Sequence, residues 1–172
     1  MQRVDSIEAN CEYRDYDLLF QAWNQVFSDS EFAVETLASL LEDRKQWPNA
    51  RAILSLAQTH RAIESGDSSL ASEALDNLNA AEMAIGTNPF ISAARLWRHC
   101  VAIQLARESD LPIDEIRADA DRVAAELRIH KQAWNAQIIR TVYYQLIDDQ
   151  EQERIAWNEG WGGGTGQARR VP

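Results

Sequence analysis

The sequence predicts an all-α protein built as a superhelical array of about four antiparallel helix hairpins. Apolar residues recur at three- and four-residue steps along most of the 172 residues, which is the period of an amphipathic helix. Helix breakers are sparse, since two glycines precede Gly160 and three prolines precede Pro172. Pro48 and Pro89 each begin a predicted helix pair, and their spacing of 41 residues is typical of stacked helical repeats.

Turn and capping signals divide the first half of the chain into four helices. Residues 28–31 read Ser-Asp-Ser-Glu and match a capping box, in which the serine and the glutamate side chains satisfy helix-end amides. Trp47 ends the second helix because the residue before a proline avoids helical geometry. Gly66 accepts the left-handed turn after the third helix, and Asp67 or Ser68 caps the fourth. The predicted helices span about 12–28, 30–46, 50–65 and 69–85.

The second half of the chain continues the pattern. Asn88 and Pro89 supply the cap and the first residue of the fifth helix. The acidic run 114–121 is interpreted as a solvated helix start, because carboxylates favour the N-terminal dipole and the run lacks the glycine of a calcium loop. The glycine-rich segment after the last helix predicts a flexible tail. The predicted helices span about 90–108, 113–130, 133–147 and 149–159, and the predicted domains are a helical-repeat domain over 1–159 and a tail over 160–172.

Most of the six tryptophans are expected in the core. Helical spacing places Trp23 on the apolar face of the first helix, and Trp97 and Trp134 on apolar faces of later helices. Trp157 and Trp161, near the C-terminal end, are instead expected at an exposed contact. The core face of the first helix is predicted to consist of Tyr16, Leu19, Phe20, Trp23 and Phe27.

Residues 66–75, Gly-Asp-Ser-Ser-Leu-Ala-Ser-Glu-Ala-Leu, resemble the middle of a tetratricopeptide repeat. Gly66 and Asp67 match the turn between its two helices, Ala71 matches its small residue, and Pro89 matches the proline that follows. The repeat of that family is about 34 residues long, whereas HEAT-like repeats of about 40–47 residues are closer to the spacing of 41. The resemblance implies a protein-interaction scaffold. Another helical array and a compact bundle stay open as alternatives.

Composition excludes some classes of partner and indicates a compartment. The formal net charge is −10, which disfavours binding to nucleic acid and to anionic membranes. No apolar run approaches the ~20 residues of a membrane span. Cys11 and Cys100 are too few for a disulfide framework in a domain of this size. We therefore expect an acidic cytoplasmic protein.

No residue pattern predicts a catalytic, metal or cofactor site. His60, His99 and His130 do not pair at the spacing that a helical metal site favours. The glycines of residues 162–166 lack the lysine that a phosphate-binding loop requires. We therefore expect a protein that is not an enzyme and binds neither a metal nor a cofactor.

The polar side chains on the first helix of each predicted hairpin form the candidate partner site. First helices usually line the concave side of such arrays. Arginines there would attract a carboxylate-rich peptide through paired hydrogen bonds. The alternative is that these arginines pair with acids of neighbouring helices. The candidate residues are Arg51, Gln58, Arg61, Arg95, Arg98, Gln137, Arg140 and Tyr144.

These features together predict a non-catalytic protein–protein interaction module. We expect it to bind a peptide or a partner helix in the groove described above, with an acidic partner favoured and self-association as a further outcome. One alternative is a regulatory or structural segment of a larger signalling protein. A second alternative is a small enzyme or ligand binder that uses a pocket between helices.

Overall fold

The structure, a computed structural model, describes residues 2–129 and 134–161, and the side chains of residues 13–129 and 135–160. Within these residues the chain forms eight helices and no strand. The prediction of an all-α protein is therefore confirmed for the described residues. The helices are α1 (Gln2–Gln25), α2 (Ser30–Asp43), α3 (Pro48–Ser65), α4 (Ser68–Ile85), α5 (Pro89–Glu108), α6 (Asp114–Arg128), α7 (Trp134–Leu146) and α8 (Gln150–Trp161).

Helix α1 is the element whose length differs most from the prediction. It begins at Gln2, about ten residues before the predicted start. Residues 2–11 contain neither glycine nor proline, so nothing in that stretch opposes a helix. His130 and the part of the predicted tail beyond Trp161 lie outside the described residues.

Local chemistry sets the other helix ends. The N-cap of α2 is Asp29, whose carboxylate accepts from the Phe32 amide at 3.1 Å. The capping box predicted from Ser28 was therefore wrong, because α2 begins two residues after that serine. Gly66 ends α3 with a left-handed φ of 71°, as predicted. The Asp67 carboxylate accepts from the Ser69 amide and caps α4.

Asn88 caps α5 and also reaches the beginning of α3. Its Oδ1 accepts from the backbone amides of Phe90 and Ile91, both at 2.9 Å. Its Nδ2 donates to Asn49 Oδ1 at 2.7 Å. The prediction of Asn88 as cap and Pro89 as first helical residue is confirmed.

Contacts divide the chain into two compact units, Met1–Ala94 and Arg95–Pro172. In the first unit α2 packs against α1 and α3, and α3 packs against α4. Ser30 Oγ donates to Glu64 Oε2 at 2.6 Å, so the beginning of α2 lies beside the end of α3. Residues 52–59 of α3 are all buried because helices cover α3 on two sides. The core includes Leu19, Trp23, Val26, Leu37, Leu40, Ile53, Leu56, Ala74, Leu78 and Ile91.

The second unit has its own core, centred on α7. Helix α7 packs against α6 and, over a larger surface, against α8. The Tyr143 hydroxyl donates to Asp121 Oδ1 at 2.6 Å and so joins α7 to α6. The core includes Leu96, Cys100, Ile103, Ala120, Val123, Leu127, Ile139, Tyr143, Ile147 and Ala156.

The buried face of α1 differs from the predicted one. Leu19, Ala22, Trp23 and Val26 form that face, so the prediction was correct for Leu19 and Trp23. It was wrong for Tyr16 and Phe20, whose side chains are exposed. Tyr16 and Phe20 are rotated around the helix axis away from Ala22 and Val26. These two smaller residues were not part of the predicted core face.

The alanine that α4 buries is not the one that the family resemblance predicts. The buried residue is Ala74, whereas Ala71 is exposed.

None of the helices in the described parts of the chain is both long enough and apolar enough to cross a lipid bilayer.

Candidate functional site

Three of the eight candidate partner residues lie on α3 in the first unit, and each has a polar partner. Arg51 donates from Nη1 to Asn77 Oδ1 at 3.1 Å and from Nη2 to the Lys45 carbonyl at 3.0 Å. The arginine thus joins the start of α3 to α4 and to the preceding loop. Its guanidinium is engaged within the chain and half-buried.

Gln58 is the centre of a polar contact between α3 and α4. Its Nε2 donates to Glu73 Oε2 at 3.1 Å, and its Oε1 accepts from Asn77 Nδ2 at 3.0 Å. Because Asn77 also accepts from Arg51, these four side chains form one continuous network. Gln58 itself is buried, so its amide serves the packing of the two helices.

Arg61 pairs with an acid of the neighbouring helix α2. Its Nη2 lies 2.8 Å from Glu31 Oε1, and both side chains are partly exposed. Such a pair agrees with the alternative interpretation, in which the arginines pair with acids of neighbouring helices. Exposed pairs of this type contribute about 1 kcal/mol or less to stability.

Five candidate residues lie in the second unit, two of them on α5. Arg95 and Arg98 are half-buried. Their charges act on His99, whose Nε2 lies 2.8 Å from Asp119 Oδ2. Burial lowers the pKa of His99, the contact with Asp119 raises it in part, and the charges of Arg98 and Arg95 lower it further.

Arg140 is the most deeply buried charge among the described residues, with a relative exposure of 0%. Its Nη1 donates to Glu159 Oε2 at 2.7 Å and to Gln137 Oε1 at 2.5 Å. Its guanidinium carbon lies 5.7 Å from the ring centroid of Tyr144. The Nε and Nη2 atoms are buried without a hydrogen-bond partner. Arg140, Gln137 and Tyr144 thus belong to the α7–α8 contact.

Gly160 allows α8 to approach α7 closely at this contact. A Cβ placed on Gly160 would lie 2.9 Å from the Cβ of Gln137, closer than side chains pack. The same turn of α8 carries Glu159, which also lies 3.5 Å from Arg128 Nε. The glycine therefore lets the Glu159 carboxylate reach Arg140.

The ordinary chemistry of helix packing accounts for the other perturbed groups. Burial raises the pKa of the Cys100 thiol to about 12, so it stays protonated. Burial and the hydrogen bond to Asp121 raise the pKa of Tyr143. Within the described residues, no three of the histidines, cysteines, aspartates and glutamates are grouped so that they would hold a metal ion.

Sequence reasoning missed an exposed aromatic face on α1, formed by Tyr13, Tyr16 and Phe20. Their relative exposures are 73%, 48% and 54%. The spacings of three and four residues place all three on one side of the helix. The ring of Trp47, in the loop before α3, meets Tyr16 edge-to-face at 5.3 Å and extends this surface.

Charged residues border the aromatic face of α1. Asp17 is exposed on the same side of the helix. Asp15 pairs with Arg44 at 2.9 Å, and the Arg44 guanidinium also lies over the Trp47 ring. The pairing brings the end of α2, with its exposed residues Glu42 and Asp43, to this part of α1.

The second unit also carries an exposed aromatic residue, Trp157. It is 52% exposed, as expected, and its contact with a partner stays a prediction. It lines a pocket of about 340 Å³ on one face of α8 together with Gln150, Glu153 and Arg154. The side chain of Trp161 lies outside the described ones.

Comparisons with models of protein families, with curated proteins and with solved structures found no match.

Proposed function

We propose that this chain is a non-catalytic protein-interaction module, built from tetratricopeptide-like helix hairpins. The single observation that carries the proposal is the aromatic face of α1. Soluble proteins seldom leave several large aromatic side chains together on the surface, and such groups mark contact sites. Tyrosine and phenylalanine lose little side-chain entropy when a partner covers them, so they make effective anchors.

Half of the residues predicted to line the partner groove are not accessible. Gln58, Gln137, Arg140 and Tyr144 are buried, so a partner reaches them only by displacing helix contacts. Arg51, Arg61, Arg95 and Arg98 retain accessible surface and stay proposed partner contacts. The aromatic face of α1 offers exposed apolar surface without any rearrangement.

The chemistry of the titratable groups supports a non-catalytic role. The shifted pKa values of Cys100 and Tyr143 follow from burial and from a helix-to-helix hydrogen bond. His99 is likewise held by a carboxylate of α6. We also propose a reducing, cytoplasmic location, because Cys100 is a free thiol packed as a small apolar residue.

The test is a binding comparison between two double variants. Tyr13→Ala with Phe20→Ala removes two exposed aromatic side chains from α1. Met83→Ala with Ile85→Ala removes two exposed apolar side chains from α4 in the same unit, and is the matched control. Each protein is used as bait in an extract of the source cells, and bound proteins are quantified by mass spectrometry.

We expect one partner to fall at least about tenfold with the α1 variant and to stay unchanged with the α4 variant. Circular dichroism checks that both variants keep the helical content of the unmodified protein. An identical set of bound proteins for all three baits would contradict the proposal.

A further inference from the structure

The first unit carries almost all of the excess negative charge of the protein. Residues 1–94 contain 15 aspartates and glutamates against 6 lysines and arginines, a formal charge of −9. The whole chain has a formal charge of −10. The aromatic face of α1 belongs to this negatively charged unit, and such a net charge attracts cationic partners over a distance of about 10 Å at moderate salt.

The sequence of α1 has a net charge of the same sign as the unit. Residues 2–25 contain five acids and two arginines. Among the bases near the face, Arg44 is engaged by Asp15 and by the Trp47 ring, which leaves Arg14 and Lys45 exposed. The acid that shares the exposed side of the helix with the aromatic residues is Asp17.

The same charge argues against a second copy of this chain as the occupant. Two aromatic faces brought together would place two units of formal charge −9 against each other. Like charges across an interface are costly and slow the encounter. The aromatic face thus needs a partner of opposite charge.

The shape of the surface indicates a helical partner. Tyr13, Tyr16 and Phe20 extend along about 10 Å of helix, which is two turns. An amphipathic helix meets such a row with apolar anchors three and four residues apart. Lysines and arginines beside those anchors would also pair with the Asp17 carboxylate and be attracted by the negative charge of the unit.

We infer that the aromatic face of α1 is the docking site for a basic amphipathic helix of another protein. This inference rests on the proposed function and adds the chemistry of the partner. It differs from the carboxylate-rich partner expected from the arginines, because in this unit Arg51 and Arg61 are engaged by Asn77 and Glu31.

Site-specific photo-crosslinking tests the inference. A benzophenone amino acid replaces Phe20 in one protein and Met83, which is 89% exposed on α4, in the control. After irradiation in the source cells, the cross-linked segment is sequenced by mass spectrometry. A peptide of that segment is then synthesised, and its dissociation constant is measured from about 0.05 M to about 0.5 M salt.

We expect the Phe20 position to capture a segment with excess lysine and arginine and apolar residues at helical spacing. Its affinity should fall at least about tenfold over that salt range. Asp17→Lys should weaken binding about fivefold or more, and more than Asp76→Lys, an equal charge change at an exposed position of α4.

An acidic or uncharged captured segment overturns the inference and leaves the proposed function intact. Capture of this same chain also overturns it, and shows that α1 mediates self-association. Cross-linking no stronger than in the Met83 control overturns the docking site, and the extract comparison described above then decides separately whether the proposed function survives.

Discussion

Residues 95–172 contain 11 lysines and arginines against 12 aspartates and glutamates, a formal charge of −1, whereas residues 1–94 have a formal charge of −9. The two units also differ in how deeply their internal polar contacts bury charge. The first unit joins its helices through amides, as in Gln58 with Asn77 and Asn49 with Asn88, and through partly exposed ion pairs such as Arg61 with Glu31.

The second unit instead buries a charged contact between two of its helices. Arg140 pairs with Glu159 in the interior, and His99 pairs with Asp119. Arg140 is fully buried in its pair, whereas the arginines that pair with acids in the first unit, Arg44 and Arg61, are partly exposed. The number of lysines and arginines therefore sets the difference between the units, because the second unit has nearly one base for each acid and the first has far fewer.

The largest effect is expected from breaking the interior ion pair of the second unit. Arg140→Met leaves Glu159 without its buried partner and should lower the free energy of unfolding of that unit by about 3–5 kcal/mol. Hydrogen exchange of the amides of α7 and α8 measures the change. Arg61→Met, which breaks an exposed pair in the first unit, should cost about 1 kcal/mol or less.

A second variant separates charge from packing at the same position. Arg140→Met together with Glu159→Leu removes both buried charges and should recover most of the lost stability. An Arg140→Met protein within about 1 kcal/mol of the unmodified one would show that the buried pair does not distinguish the two units.

The next largest effect is expected at Gly160. Gly160→Ala places a methyl group 2.9 Å from Gln137 Cβ and should lower the free energy of unfolding of the second unit by about 1–2 kcal/mol. The helix propensity of alanine acts in the opposite direction by about 1 kcal/mol. Asn158→Ala, at an exposed position of α8, is the control and should be neutral or stabilising. A gain in stability from Gly160→Ala would show that α8 has room to move away from α7.

A smaller effect is expected from salt. Raising the salt concentration from about 0.02 M to about 0.2 M screens the repulsion among acids in the first unit, and should stabilise it by about 1 kcal/mol relative to the second. Hydrogen exchange of α3 amides, compared with α7 amides in the same sample, gives the difference. Equal responses of the two units would contradict the contrast in charge.

The smallest effect on stability is expected at the aromatic face of α1. Phe20→Ser should change the free energy of unfolding of the first unit by no more than about 0.5 kcal/mol, because the side chain is largely outside the core. Trp23→Ser, three residues later on the buried face, should cost at least about 3 kcal/mol. Urea unfolding of both variants tests this. Similar losses would mean that both residues belong to the core.

The sequence predicts the helices better than their faces. Turn chemistry at Trp47, Gly66 and Asn88 is local, so it places most helix ends within a few residues. The face that a helix buries depends on which helices pack against it. The small residues Ala22 and Val26 belong to the buried face of α1, whereas the larger aromatic residues Tyr16 and Phe20 are exposed.

The candidate site shows the same limit. Arg140 and Gln58 are polar residues on helices, and sequence spacing alone assigns such residues to a surface. Their partners Glu159 and Glu73 lie on other helices, 19 and 15 residues further along the chain. Helical periodicity carries no information on contacts of that range, so the burial of these side chains required the structure.

Changes in chain length between α3 and α5 are constrained by the hydrogen bond between Asn49 and Asn88. Helices α3 and α4 both contain 18 residues, so the chain returns after α4 to the level at which α3 begins. An insertion of one residue rotates all that follows by about 100° within a helix and separates the two asparagines. An evolving sequence therefore conserves this contact only by lengthening or shortening both helices together, so the lengths of α3 and α4 are inherited as a pair.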